Sequence, residues 1–265
     1  MKTYVIGESS NLSKSLQKVI QNSALIPTLS KNFDFEDGSN IIFNNFQAST
    51  KLNSISSYEQ YINYSINSTS KILDFIQTNK LNINKIIYTS SSSVYGNLSS
   101  TTEEERVDTQ SLYASLKFSN EKIIEKFCIE NHINYTIARI FNMYGGNDSF
   151  SIISKIITAA KTNNEITLIN NGQGIRDFIH VDDVSAIYKQ LLFFNNIPIV
   201  NIGTGIGRSI ASILKFLEKN GLTIKTKSIT KKEINKSIAD VKLLQKTIGN
   251  YNFKCLDTYI LNSLV

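Results

Sequence analysis

The chain reads as an α/β protein: a parallel sheet covered by helices on both faces, followed by a smaller mixed C-terminal lobe. Three observations predict this. Short apolar strands alternate with helical patterns from Thr3 to about Ile140. Two of the strands, Ile86-Ile87-Tyr88 and Thr136-Ile137-Ala138, are apolar on consecutive residues, which fits burial on both sides. After Tyr144 the alternation gives way to turn-rich and more varied segments. The expected division is a first domain over 1–145 and a lobe over 146–265, with the stretch near 176–200 returning to the sheet.

The elements follow in order. Thr3 to Gly7 is a short strand, and Leu12, Leu16, Val19 and Ile20 then recur at helical spacing. Ala24–Leu29 and Asn40–Phe43 read as the second and third strands. Tyr58–Gln77 is helical, with Ile62, Ile66, Ile72, Leu73 and Ile76 on its buried side. Lys85–Thr89 is a strand that runs into the serines 90–93. Gln110–Glu130 is a helix and Tyr135–Ile140 a strand. In the lobe, a helix from about Ile152 to Lys161 precedes the turn Asn170-Asn171-Gly172-Gln173-Gly174. A strand and helix follow through Arg176 to Phe194, and Val200 to Gly205 is a strand ending in a loop.

Composition narrows the class. The 265 residues are 41% hydrophobic and 19% charged, a globular balance. No apolar run is long enough to span a bilayer, and the N-terminus lacks the stretch of a secretory signal. Cys128 and Cys255 make no disulfide framework and have no metal-ligand spacing, so a reducing cytoplasm is expected, with no metal and no membrane. The net charge is +6, and its densest cluster is Lys225, Lys227, Lys231, Lys232 and Lys236. No aromatic residues interleave with it, which favours a solvated surface over a nucleic-acid site.

The chemistry-bearing motif is Tyr113-Ala114-Ser115-Leu116-Lys117. One helical turn puts Tyr113 and Lys117 on the same face. A phenol with a pKa near ~10 is a poor base at neutral pH, and a lysine ammonium one turn away is expected to lower it. With a serine hydroxyl to hold the substrate oxygen, the set is a proton-transfer device for carbinol and carbonyl chemistry. Ser90 to Ser93 ends a buried strand, at the sheet edge where ligands bind in open α/β folds. Gly7 follows a strand and opens a helix, where a dinucleotide pyrophosphate would rest on backbone N–H groups at Ser10, Asn11 and Leu12. Ser10 and Ser13 stand where further glycines would fall, so this loop alone reads equally as a plain strand–helix turn. No acidic residue ends the second strand. Ser30 and Lys31 sit there, a hydroxyl and a cation that suit a 2′-phosphate and favour NADP over NAD by a small margin. Arg176 to Val184 threads polar residues through an apolar frame. Its arginine could grip a diphosphate, or it could form a structural Arg–Asp pair, with His180 an ordinary half-buried histidine.

Together these residues resemble the extended short-chain dehydrogenase/reductase family, specifically its nucleotide-sugar epimerases, dehydratases and reductases. The resemblance rests on Ser90 to Gly96, the Tyr113 and Lys117 pair, Arg139 to Gly145, Arg176 to Val184 and Asn201 to Gly205. These occur in family order over residues 1 to about 210. It implies a Rossmann-like doubly wound sheet with a small substrate lobe. It implies Ser91, Tyr113 and Lys117 as catalytic residues, with Lys117 also on the nicotinamide ribose. Ser91, Ser92, Asn142 and Arg176 would contact a nucleotide-diphosphate sugar. It implies a homodimer through the Tyr58–Gln77 and Gln110–Glu130 helices. Ser92-Ser93 replaces the Asp-Glu pair of 4,6-dehydratases, which points to reduction of a 4-keto-6-deoxyhexose with NADPH or NADH, or to 4-epimerisation with tightly held NAD. A non-enzymatic nucleotide-binding or partner-binding member is the third reading. The chain also departs from the family. Only Gly7 remains of the glycine loop. Little room lies between Leu29 and Asn40 for the usual helix and strand. Asn44-Asn45-Phe46-Gln47 replaces a small-residue stretch, so Phe46 is expected to crowd the nicotinamide.

Overall fold

The computed structural model describes residues 1–30, 32–46, 57–98 and 101–264. β1 (Thr3–Ile6) leads through Gly7 into α1 (Asn11–Val19). β2 (Ser23–Ile26) follows and stops at Pro27, which cannot donate to a ladder. β3 (Ser39–Phe43) leads to a long helical element: α2 (Tyr58–Ile62), a π turn (Asn63–Asn67) and α3 (Ser68–Thr78). β4 (Ile83–Ser91), α4 (Leu112–Glu130) and β5 (Asn134–Ile140) complete the first run.

These strands form a six-stranded parallel sheet in the order β2-β1-β3-β4-β5-β9, where β9 is Ile199–Ile202. Alternation of side chains decides the two layers. Val5, Ile42, Ile87, Ala138 and Val200 face α1 and a later helix. Tyr4, Ile6, Ile41, Ile86, Tyr88 and Ile137 face α3 and α4. The chain leaves the sheet after β5 and builds a second core from Tyr144, Ile153, Ile156, Leu168, Phe178, Ile213 and Ile260. Its elements are β6 (Asn142–Tyr144), α5 (Ile152–Thr162), β7 (Ile166–Ile169), β8 (Ile175–His180), α6 (Val181–Leu191), β10 (Gly207–Ser209), α7 (Ile210–Lys219), β11 (Thr226–Ile229), β12 (Lys236–Ser237), α8 (Lys242–Ile248) and α9 (Leu256–Leu264). β8 belongs to the small sheet with β6, β10 and β12, whereas β9 rejoins the main sheet. No described helix is long and apolar enough to cross a membrane.

The sequence reading needs two corrections of detail. The element predicted as one helix over Tyr58–Gln77 is interrupted by the π turn. Its displaced Ser65 carbonyl accepts from the amides of Asn45 and Asn120 and the hydroxyl of Thr69, at 3.2, 3.1 and 3.0 Å. The helix predicted from Gln110 begins at Leu112, because the Ser111 hydroxyl caps it by accepting from the Ala114 N–H. The short Leu29–Asn40 segment, as its length predicts, adds no strand among the described residues, so β2 is the edge of the sheet on that side.

Candidate active site

The carboxyl end of β4 supplies the hydroxyls. Ser91 is the last strand residue and the cap of a short 3₁₀ turn, its Oγ accepting from the Ser93 N–H at 3.2 Å. Ser92 opens that turn. α4 packs against β4 and turns Tyr113 and Lys117 inward together. The Ser91 hydroxyl lies close enough to the Tyr113 phenol to favour its ionisation. Lys117 is only 4% exposed and donates to the Thr89 carbonyl at 2.7 Å. Three rings surround its Nζ: Phe46 at 4.4 Å, Tyr88 at 5.2 Å and Tyr113 at 5.9 Å from the centroids. The structure thus brings Ser91, Tyr113 and Lys117 to one place.

The electrostatics differ from the sequence expectation. Burial dominates at Tyr113 and pushes its pKa up to about 12, with the nearby Ser91 hydroxyl opposing. Lys117 does not pull it down. Lys117 is itself lowered to about 7 by burial, against the attraction of Glu121. Glu121 lies one turn further along α4 and forms a two-pronged ion pair with Arg139 of β5, Nε–Oε1 at 3.1 Å and Nη2–Oε2 at 2.7 Å. Ser90 also donates to Glu121, and the guanidinium carbon lies 4.8 Å from the centre of the Tyr95 ring. Tyr95 in turn donates to Asn201 on β9. This buried network braces the floor of the site.

The β1–α1 side of the sheet edge is more closed. Gly7 has φ +103°, and a Cβ there would overlap the Asn44 carbonyl, so the β1 and β3 ends meet backbone to backbone. Asn44 donates to the Ser10 and Ser13 hydroxyls at 2.5 and 2.8 Å. Ser10 also caps α1 through the Ser13 N–H. Asn11 reaches across to the Gly145 carbonyl and the Asn147 N–H at 2.7 and 3.0 Å. The Leu12 side chain is in the core, so only its backbone can serve a ligand. Ser30 donates to the Asn32 carbonyl, and Lys31 lies outside the described residues, as does Gln47.

In the lobe, Asn142 donates to the Asp177 carbonyl at 3.0 Å. Arg176 pairs with Glu233 at 2.9 Å and donates to the Ile175 carbonyl, leaving three of its five N–H groups for other partners. The alternative of an Arg–Asp pair is therefore not what forms. Asp177 instead accepts from Thr204, Gly205 and Ala239, latching β9 and β12 to β8. His180 is buried, caps α6 through the Asp182 N–H and packs between Tyr144 and Tyr259. Glu121, Arg139 and Glu233 were missed as site residues. Glu121 carried a signal, being four residues beyond Lys117, but Glu233 lies 57 residues from its partner in a lysine-rich stretch. Among the described residues no group of three or more His, Cys, Asp or Glu is placed to hold a metal ion.

Comparison with known proteins adds a family. A model described as the NAD dependent epimerase/dehydratase family matches residues 21–203. An ADP-L-glycero-D-manno-heptose-6-epimerase from Brachyspira hyodysenteriae is 30% identical over 148 residues, 51% of this chain and 46% of that protein. A UDP-glucose 4-epimerase from Haemophilus influenzae is 27% identical over 217 residues, 70% and 64% of the two chains. The chain spans about half the length of several curated relatives that it matches. Among solved structures, MoeE5 in complex with UDP-glucose and NAD superposes with a TM-score of 0.86 at 18% identity, covering 100% of this chain and 97% of that one. A UDP-glucuronic acid 4-epimerase from Bacillus cereus, in complex with UDP-glucuronic acid and NAD, gives 0.86 at 20% identity, covering 100% and 98%.

Proposed function

Because the chain belongs to the NAD-dependent epimerase/dehydratase family, we propose that it is an NAD(P)-dependent oxidoreductase acting on a nucleotide-linked sugar, and that it reduces a 4-keto-6-deoxyhexose carried on a nucleoside diphosphate. The observation that carries this reading is the convergence of Ser91 at the end of β4 with Tyr113 and the buried Lys117 on α4. A phenol pushed up to about 12 is protonated at neutral pH and suits the acid that a carbonyl reduction requires.

The residues present fit a nicotinamide dinucleotide at three points. Gly7 keeps its left-handed backbone at the mouth of α1. The first turn of α1 offers backbone N–H groups at Asn11 and Leu12. Lys117 spends one of its three N–H donors on Thr89 and has no carboxylate ion-pair partner among the described residues. The dinucleotide, when bound, supplies the hydride. Everything else falls to the chain. Ser10, Asn11 and Leu12 hold the pyrophosphate, and Lys117 binds the ribose hydroxyls. Ser30, with Lys31 next in the sequence, is assigned to the adenosine end, where a 2′-phosphate would favour NADP. Ser91 orients the sugar carbonyl oxygen, and Tyr113 delivers a proton to it. Ser92, Asn142 and the free N–H groups of Arg176 hold the nucleotide sugar. The proposal includes a homodimer through α2–α3 and α4. The outward residues Lys71, Asp74, Lys122 and Lys126 make that a polar interface, and a solution mass of twice 29.8 kDa is its check.

A second reading, 4-epimerisation, is favoured by the names of the relatives. It requires Tyr113 to begin as a base and the dinucleotide to stay bound through turnover. Tyr113→Phe tests the shared core: turnover of the nucleotide sugar should fall at least about 100-fold, with nucleotide-sugar affinity within twofold of the parent. Undiminished turnover sinks the assignment. Denaturing the purified protein separates the two reactions. Near-stoichiometric released NAD points to the epimerase, and empty protein that binds NADPH on titration points to the reductase.

A further inference from the structure

Phe46 stands three residues beyond β3 and its ring is held on three sides. It meets Tyr61 edge-on at 5.8 Å and Tyr113 at 5.5 Å, with interplanar angles of 82° and 88°. Its face lies 4.4 Å from the Lys117 ammonium. The residue before it is anchored: the Asn45 amide donates to Ser65 O at 3.2 Å, to Ser68 Oγ at 2.6 Å and to Thr69 Oγ1 at 3.0 Å, all on the π turn and the start of α3. The ring is therefore a positioned element of the site.

Its position has a chemical consequence. Lys117 has two donor protons not spent on Thr89, and a face of Phe46 covers the ammonium that carries them. A ring face attracts a cation but accepts no directed hydrogen bonds. A ligand hydroxyl has to reach the same ammonium and cannot share that space with the ring. We propose that Phe46 sets the affinity of this site by acting as an internal stand-in for a ribose diol on Lys117, so that a nicotinamide dinucleotide engages Lys117 only by displacing the Phe46 ring.

This inference rests on the cofactor assignment above and adds that the cofactor binds in competition with a side chain. It accounts for a chain that keeps Ser91, Tyr113 and Lys117 but has lost glycines from its phosphate loop. Cofactor here is an exchangeable substrate held loosely.

The test is equilibrium binding of NADH and NADPH, followed by the anisotropy of their own fluorescence, with no turnover required. Wild type, Phe46→Ala, Phe46→Leu and Phe46→Tyr are compared, each checked for native circular dichroism. The expected result is at least tenfold tighter binding for Phe46→Ala, an intermediate gain for Phe46→Leu, and wild-type affinity for Phe46→Tyr. Should Phe46→Ala disrupt folding, Phe46→Leu carries the comparison. Equal or weaker binding by the folded small-side-chain variants, or wild-type protein that purifies with its dinucleotide in place, overturns the role of Phe46 and leaves the oxidoreductase reading intact. Failure of every variant to bind either dinucleotide overturns both.

Discussion

Glu121→Gln is the most informative single substitution in the floor of the site. The Glu121 and Arg139 side chains are 1% and 3% exposed, and two hydrogen bonds join them. The third guanidinium nitrogen, Nη1, has no hydrogen-bond partner among the described residues. Replacing the carboxylate by an amide keeps the shape but turns one acceptor into a donor facing Arg139 or the Ser90 hydroxyl. The guanidinium is then a buried charge without a counter-charge, a situation that costs about 3–5 kcal/mol. Against a total stability of about 5–15 kcal/mol, that is a large share. The assay is urea unfolding, reading the midpoint at unchanged denaturant slope. The double variant Glu121→Leu with Arg139→Met removes both charges and, set against its own two single variants, should recover most of their loss, giving a strongly non-additive cycle. A single-variant loss under about 1 kcal/mol, or additive behaviour, would refute the claim that these charges are desolvated and mutually dependent.

Two further outcomes follow from the same physics. Gly145→Ala should cost about 3 kcal/mol, because the residue has φ +93° and its new Cβ would overlap a His180 ring that Tyr144 and Tyr259 prevent from yielding. Gly38→Ala, at φ +72° with nothing nearby, should cost only about 1 kcal/mol, and equal losses in the two variants would remove the steric argument. Lys117 gives a pH signature: its folded pKa is about 7 against about 10.4 unfolded, so between those values the unfolded chain binds more protons and stability rises with pH, by up to about 1.4 kcal/mol per unit. Urea midpoints at pH 7, 8 and 9 should climb more steeply for wild type than for Lys117→Met; Lys85, lowered to about 8, contributes equally to both and cancels.

The sheet was legible because its strands are apolar on both faces, and consecutive residues such as Ile86, Ile87 and Tyr88 allow little else. The pairing of Tyr113 with Lys117 was legible because helical spacing fixes it locally. What escaped depends on contacts far apart in the chain. The π turn owes its stability to Asn45 and Asn120, neither of which lies in the helix it interrupts. The pKa directions escaped for a related reason: spacing says that Lys117 is near Tyr113, but the depth at which both are buried is set by Phe46, Tyr61 and Tyr88. Glu233 reaches Arg176 only through the register of β12 on β8.

The termination of the main sheet at β2 has an architectural consequence. An outermost strand is hydrogen-bonded on one side only, so a sheet can be pruned there without opening its interior. The groups assigned to proton transfer lie on β4 and α4, braced by β5, and every strand that supports them still has two neighbours. The two halves of such a site are separable by construction: the margin that grips a dinucleotide can erode while the centre that handles protons stays in register. Nucleotide affinity and acid chemistry can therefore drift independently in this fold, and a weakened grip at the margin is no sign of a disordered centre.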